Sequence, residues 1–75
     1  MSKYRKRPIV IDATQFFPDK PWPAGVLRDD LYGPVIETRE GTMHVSPGDW
    51  VITGVRGERY PCKPDVFELT YERED

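Results

Sequence analysis

Proline and glycine limit the length of every element this chain can build. Eight prolines and six glycines are spread through 75 residues. Proline fixes φ and has no backbone N–H, and glycine weakens the interior of helices and strands. Residues 1–75 therefore read as one small domain of short elements joined by many turns. The 12% aromatic content argues against a disordered chain. No apolar run approaches the ~20 residues that cross a bilayer. The basic opening, Lys3, Arg5, Lys6 and Arg7, is followed only by Ile9-Val10-Ile11, too short for a signal-peptide core. A soluble, cytoplasmic protein is the expectation.

Ile9 to Phe17 reads as a strand. Ile9, Ile11, Ala13, Gln15 and Phe17 share one largely apolar face; Val10, Asp12, Thr14 and Phe16 share the other. Residues 18–34 form a proline-rich insert or loop, with a short helical turn possible over Val26 to Tyr32, where Val26, Leu27 and Leu31 would share a face. Val35 to Arg39 and Thr42 to Val45 read as a hairpin turning at Glu40-Gly41. Ser46-Pro47-Gly48-Asp49 has the chemistry of a type II turn: proline presets the first corner and glycine takes positive φ at the second. Trp50 to Val55 and Glu58 to Cys62 follow as strands, with a turn near Gly54 and Gly57. Pro64 to Arg73 reads as a short helix, with Pro64 in its first turn and Asp65 complementing its dipole. A strand over Phe67 to Tyr71 is the alternative. The fold class is α+β and β-rich. It has about five short strands in a small antiparallel sheet, curled as a roll or partly open barrel, and a closing helix.

The stretch from Val45-Ser46-Pro47-Gly48-Asp49-Trp50-Val51 through Gly54-Val55-Arg56-Gly57-Glu58-Arg59-Tyr60-Pro61-Cys62-Lys63-Pro64-Asp65-Val66-Phe67 to Thr70-Tyr71-Glu72 resembles a family of small bacteriophage and prophage proteins marked by a PGDYG-like turn. The opening Tyr4-Arg5-Lys6-Arg7-Pro8-Ile9-Val10-Ile11-Asp12-Ala13 is similar to the start of those proteins. The likeness covers roughly residues 3–17 and 35–72 and leaves out the proline-rich middle. It implies a phage gene product, an accessory factor acting in the cytoplasm of an infected bacterium. It carries no activity with it.

The residues themselves offer little catalytic chemistry. Cys62 is the only cysteine and His44 the only histidine. A dyad with Lys63 lowering the thiol pKa is formally open, but no third orienting group is evident, and a half-buried thiol is the simpler reading. His44 reads as solvent-facing. No metal-ligand spacing is present, Asp29-Asp30 reads as a surface or loop pair, and no cofactor motif appears. No internal disulfide is available, so a chain this small is stabilised by packing or by forming a homo-oligomer.

Binding is the expected function, with Trp22, Trp50, Arg56, Arg59, Tyr60, Lys63 and Asp65 as candidate residues. Each also has a plain structural reading: Trp50 as core, Trp22 folded over the sheet, Tyr60 beside the prolines, and the charges solvated. The first reading is an accessory protein, not an enzyme, that modulates a host bacterial protein, anchored by Trp22, Trp50, Arg56 and Arg59. The second is a nucleotide-sequestering oligomer, with Tyr60 stacking and Arg59 and Lys63 on phosphate. The third is a nucleic-acid-binding barrel using Lys3 to Arg7 as an arm. It ranks lowest because 13 acids against 11 bases give a net charge of −2. Acids collect at the other end, from Asp65 to Asp75, and the plain reading of both termini is solvated charge.

Overall fold

The computed structural model describes residues 1–5 and 7–74. Within them the protein is β-rich, with six strands and one helix: β1 (Asp12–Gln15), β2 (Val26–Asp29), β3 (Gly33–Thr38), β4 (Gly41–His44), β5 (Trp50–Thr53), β6 (Arg59–Cys62) and α1 (Pro64–Thr70). The strands form two antiparallel sheets, ordered β1-β5-β6 and β2-β3-β4. The result is a partly open roll and not a closed barrel. One curled sheet of about five strands was the expectation. The sixth strand is β2, and it belongs to the second sheet.

The β1-β5-β6 sheet is the wall between two layers. Its register pairs Ala13 with Ile52 and Ile52 with Tyr60, and pairs Thr14 with Val51 and Val51 with Pro61. Side chains alternate across a strand. Ala13, Gln15, Trp50, Ile52, Tyr60 and Cys62 therefore share one face. That face is the one α1 covers, through a parallel stack of Trp50 on Phe67 at 4.2 Å. Val51 points the other way and joins Phe16, Ile36 and Val45 in a buried cluster, with Trp22 and Val26 packed against it.

The alternation expected over Ile9 to Phe17 survives, but with two corrections. The ladder begins only at Asp12, because β5 ends at Thr53 and the chain then turns, Gly54 N–H donating to Glu58 O at 2.8 Å. Ile9 and Val10 thus have no strand beside them and are exposed. Phe16, assigned to the outer face, is fully buried, while Phe17 is exposed. The face that is polar and exposed at Asp12 and Thr14 thus enters the buried cluster two residues later, at Phe16.

The type II turn at 46–49 forms as expected. Asp49 N–H donates to Ser46 O at 3.0 Å, and Gly48 has φ 89°. The same glycine starts a G1 bulge: Gly48 N–H donates to Phe16 O at 2.7 Å and Phe16 N–H to Asp49 O at 2.8 Å. Two residues of one strand thus oppose Phe16, which adds twist where the ladder ends.

The helical turn expected at Val26 to Tyr32 does not exist. Val26–Asp29 pairs antiparallel with β3, Val26 opposite Ile36 and Asp29 opposite Gly33. The Asp29 carboxylate then accepts from Leu31 N–H at 2.8 Å and Tyr32 N–H at 2.9 Å, closing the hairpin. The next hairpin turns on Arg39-Glu40, one residue earlier than expected, since Thr38 pairs with Gly41. Helix α1 starts at Pro64 but stops at Thr70, short of Arg73, because Tyr71 is already extended. A strand over Phe67 to Tyr71 is excluded by the same assignment.

Candidate functional site

The candidate residues do not converge on one site. Trp22 is folded inward: its ring meets Phe16 edge-on at 5.3 Å, its Nε1–H donates to Pro18 O at 3.1 Å, and the Arg28 guanidinium lies 4.4 Å over it. Trp50 is half-buried beneath α1 rather than in the central cluster. Arg59 is half-buried, with its methylenes where a side chain at Gly25 would stand. Gly25, at φ 93°, thus supplies both the turn and the room for that arginine. Arg56 and Asp65 are exposed.

The stacking-and-phosphate clamp of Tyr60, Arg59 and Lys63 is not formed. Tyr60 and Arg59 are neighbours on β6 and lie on opposite faces of the sheet. Lys63 Nζ sits 3.2 Å from both carboxylate oxygens of Asp49. Asp49 is 2% exposed, and its Oδ2 also accepts from Ser46 N–H at 2.9 Å. Gln15 Nε2 adds a bond to Gly48 O at 3.0 Å. Lys63 therefore ties α1 to the type II turn.

The idea that Lys63 activates Cys62 also fails. Burial pushes the Cys62 thiol up, and the carboxylates of Asp49 and Asp65 add to the effect. Its Sγ faces Lys63 O at 3.6 Å, while His44 Nδ1 lies 3.4 Å from the Ser46 hydroxyl. Tyr60 is pushed up to about 12, first by burial and then by donating its hydroxyl to Tyr71. Among the described residues, no cluster of three or more His, Cys, Asp or Glu is placed to hold a metal ion. No described helix is long and apolar enough to cross a membrane.

What the fold does assemble is an aromatic floor beside α1. Trp50 stacks on Phe67, Phe67 meets Tyr71 at 5.1 Å, and Tyr71 bonds to Tyr60. Two adjoining grooves of about 450 and 380 Å³ run along this floor, sharing Ile9, Ile11 and Tyr71. Beside them the outer side of α1 presents Val66 at 49% and Leu69 at 89% exposure. Trp50 and Tyr60 are among the sequence candidates, whereas Val66, Phe67, Leu69 and Tyr71 read there only as helix residues. Their signal was available: apolar residues at 66, 67 and 69 cannot all face one sheet at 3.6 residues per turn.

A separate groove of about 480 Å³ lies between β2–β3 and the Gly57 turn. Leu27 and Ile36 line it, with Arg39 and Arg59 offset by Glu37 and Glu58. The basic arm is exposed at Lys3, Arg5 and Arg7, and Lys6 lies outside the described residues. No protein-family model, curated protein or solved structure matches the chain.

Proposed function

We propose that this chain is a phage-encoded accessory protein that binds a host bacterial protein through the outer side of α1 and modulates it without catalysis. One observation carries the reading. Helix α1 has no buried residue, yet it is apolar on two sides, Phe67 toward the sheet and Val66 and Leu69 toward solvent. Apolar side chains gathered on the solvent side of a helix mark a surface that a partner covers. The charged residues Asp65 and Glu68 rim this patch as polar residues rim an interface. The likeness to small phage proteins supports the setting in an infected bacterium.

Nucleotide sequestration is the second reading, and its favouring feature is the groove flanked by Arg39 and Arg59. The two separate by experiment. Tagged protein and its Leu69→Lys variant are used to capture partners from a bacterial lysate, and each complex is weighed by native mass spectrometry. Leu69 is 89% exposed, so the substitution leaves folding within about 0.5 kcal/mol. The expected result is a host protein held by the parent chain and lost with Leu69→Lys. A partner retained by both would move the interface off α1. A small extra mass per subunit and no protein would overturn the reading in favour of the nucleotide.

A further inference from the structure

We infer that the free edge of β4 is a self-association surface, on which a second copy of this chain adds its own β4 antiparallel to form one continuous six-stranded sheet. The argument begins with edges. The two sheets have four: β1, β6, β2 and β4. Proteins protect free edges with charge, proline or bulges, because an open row of N–H and C=O groups recruits another strand. β1 carries Asp12, and β2 carries Arg28 and Asp29. β6 carries Arg59, and Pro61 has no N–H to offer. β4 reads Gly41-Thr42-Met43-His44, without a charged carboxylate, lysine, arginine or proline, and all four residues are exposed.

The register follows from the hydrogen bonds already made. Val45 N–H donates to Pro34 O at 3.0 Å, and β4 continues opposite β3 from His44–Val35 to Gly41–Thr38. Antiparallel pairs alternate between bonded and non-bonded. The alternation turns Gly41 and Met43 toward β3 and aims the backbone groups of Thr42 and His44 outward. Two copies therefore meet about a two-fold axis at Met43. Thr42 exchanges both bonds with the partner's His44, and His44 with the partner's Thr42. Met43, itself 43% exposed, lies against the partner's Met43 in a non-bonded pair, where side chains approach most closely. Such a contact is isologous and closes at two subunits.

The occupant is a second copy because the chain is under-covered for its size. Its accessible surface is 6490 Å² for 8.7 kDa. A compact monomer of that mass exposes about 4,700 Å². The excess is more than the ~800 Å² each partner buries in a standard interface. Residues 1–5 and 7–10, all exposed, account for part of it, and β4, with Met43, supplies a surface that pairing removes from water.

The test is sedimentation equilibrium of the intact chain beside Met43→Lys and Met43→Glu. The expected parent mass is twice 8.7 kDa at high concentration. Each variant places like charges opposite each other and raises the dimer dissociation constant at least about tenfold. Mixing the two variants restores the dimer, which shows that both are folded. A parent chain that stays monomeric at every concentration overturns the proposal. So do variants that remain dimeric, or a mixture that stays monomeric. None of these results depends on whether α1 has a partner.

Discussion

Asp49 joins three chain segments, two through its carboxylate and one through its backbone. It accepts from Ser46 N–H and from Lys63 Nζ, while its backbone completes the bulge against Phe16. The two members of the ion pair are unequal: Asp49 is 3% exposed at its side chain and Lys63 62%. Asp49→Ala leaves the Ser46 N–H without its partner and is expected to cost about 2–4 kcal/mol. Lys63→Met removes a largely hydrated ammonium but leaves the buried Asp49 carboxylate with only Ser46 N–H, and is expected to cost about 1–2 kcal/mol. Urea midpoints compare them, and equal losses would refute a role for Asp49 beyond the ion pair. Tyr60 gives a pH prediction. Its phenol is raised from 10.0 to about 12, so the fold favours the protonated form. That contribution is fully present below pH 10 and is lost as pH rises toward 12. The raised Cys62 thiol acts in the same direction. Tyr60→Phe should flatten the alkaline loss and remove the tyrosinate absorbance that appears near pH 12. At this scale the turn at 46–49 was legible, because proline and glycine act on their own backbone. The Lys63–Asp49 pair was not, since it spans 14 residues and depends on how β6 returns to the turn.

Elements were legible where local chemistry and pairing agree. Pro64 starts α1, and the hairpin of β3 and β4 follows its apolar and turn residues. Val26 to Tyr32 shows where they diverge. Val26, Leu27 and Leu31 have helical spacing, but Leu31 is 86% exposed and Leu27 53%. Pairing with β3 satisfies the backbone of Val26–Asp29 and outweighs a weak helical preference. The carboxylate of Asp29 then replaces backbone bonds in the turn. Asp29→Ala should cost about 0.5–1.5 kcal/mol. Its specific signature is faster amide exchange at Leu31 and Tyr32, the two N–H groups that lose their acceptor. Unchanged exchange at those two amides would show the turn to be held by the hairpin alone. The candidate binding residues scattered for a related reason. Arg59 and Tyr60 are adjacent in sequence, and strand alternation sends adjacent residues to opposite faces.

The two sheets share the cluster of Phe16, Ile36, Val45 and Val51, with α1 stacked on the other side of β5 through Phe67, and this organisation was the least legible part. A strand with one apolar face implies a sheet with one wet side, whereas β5 buries adjacent residues on both of its faces. Neighbours in sequence therefore enter different cores. Val51 joins Phe16, Ile36 and Val45, while Ile52, 1% exposed, lies on the α1 side with Trp50. A chain this small has little reserve, since domain stability runs at roughly 0.05–0.15 kcal/mol per residue. Mild substitutions are the way to probe two layers separately. Ile36→Val and Ile52→Val should each lose about 0.5–1.5 kcal/mol. If the wall isolates the layers, the double variant loses the sum to within about 0.5 kcal/mol. Urea unfolding of the four proteins measures it. A double variant departing from the sum by more than that would mean the two buried sets relax together, and the sheet would then be one shared core rather than a partition.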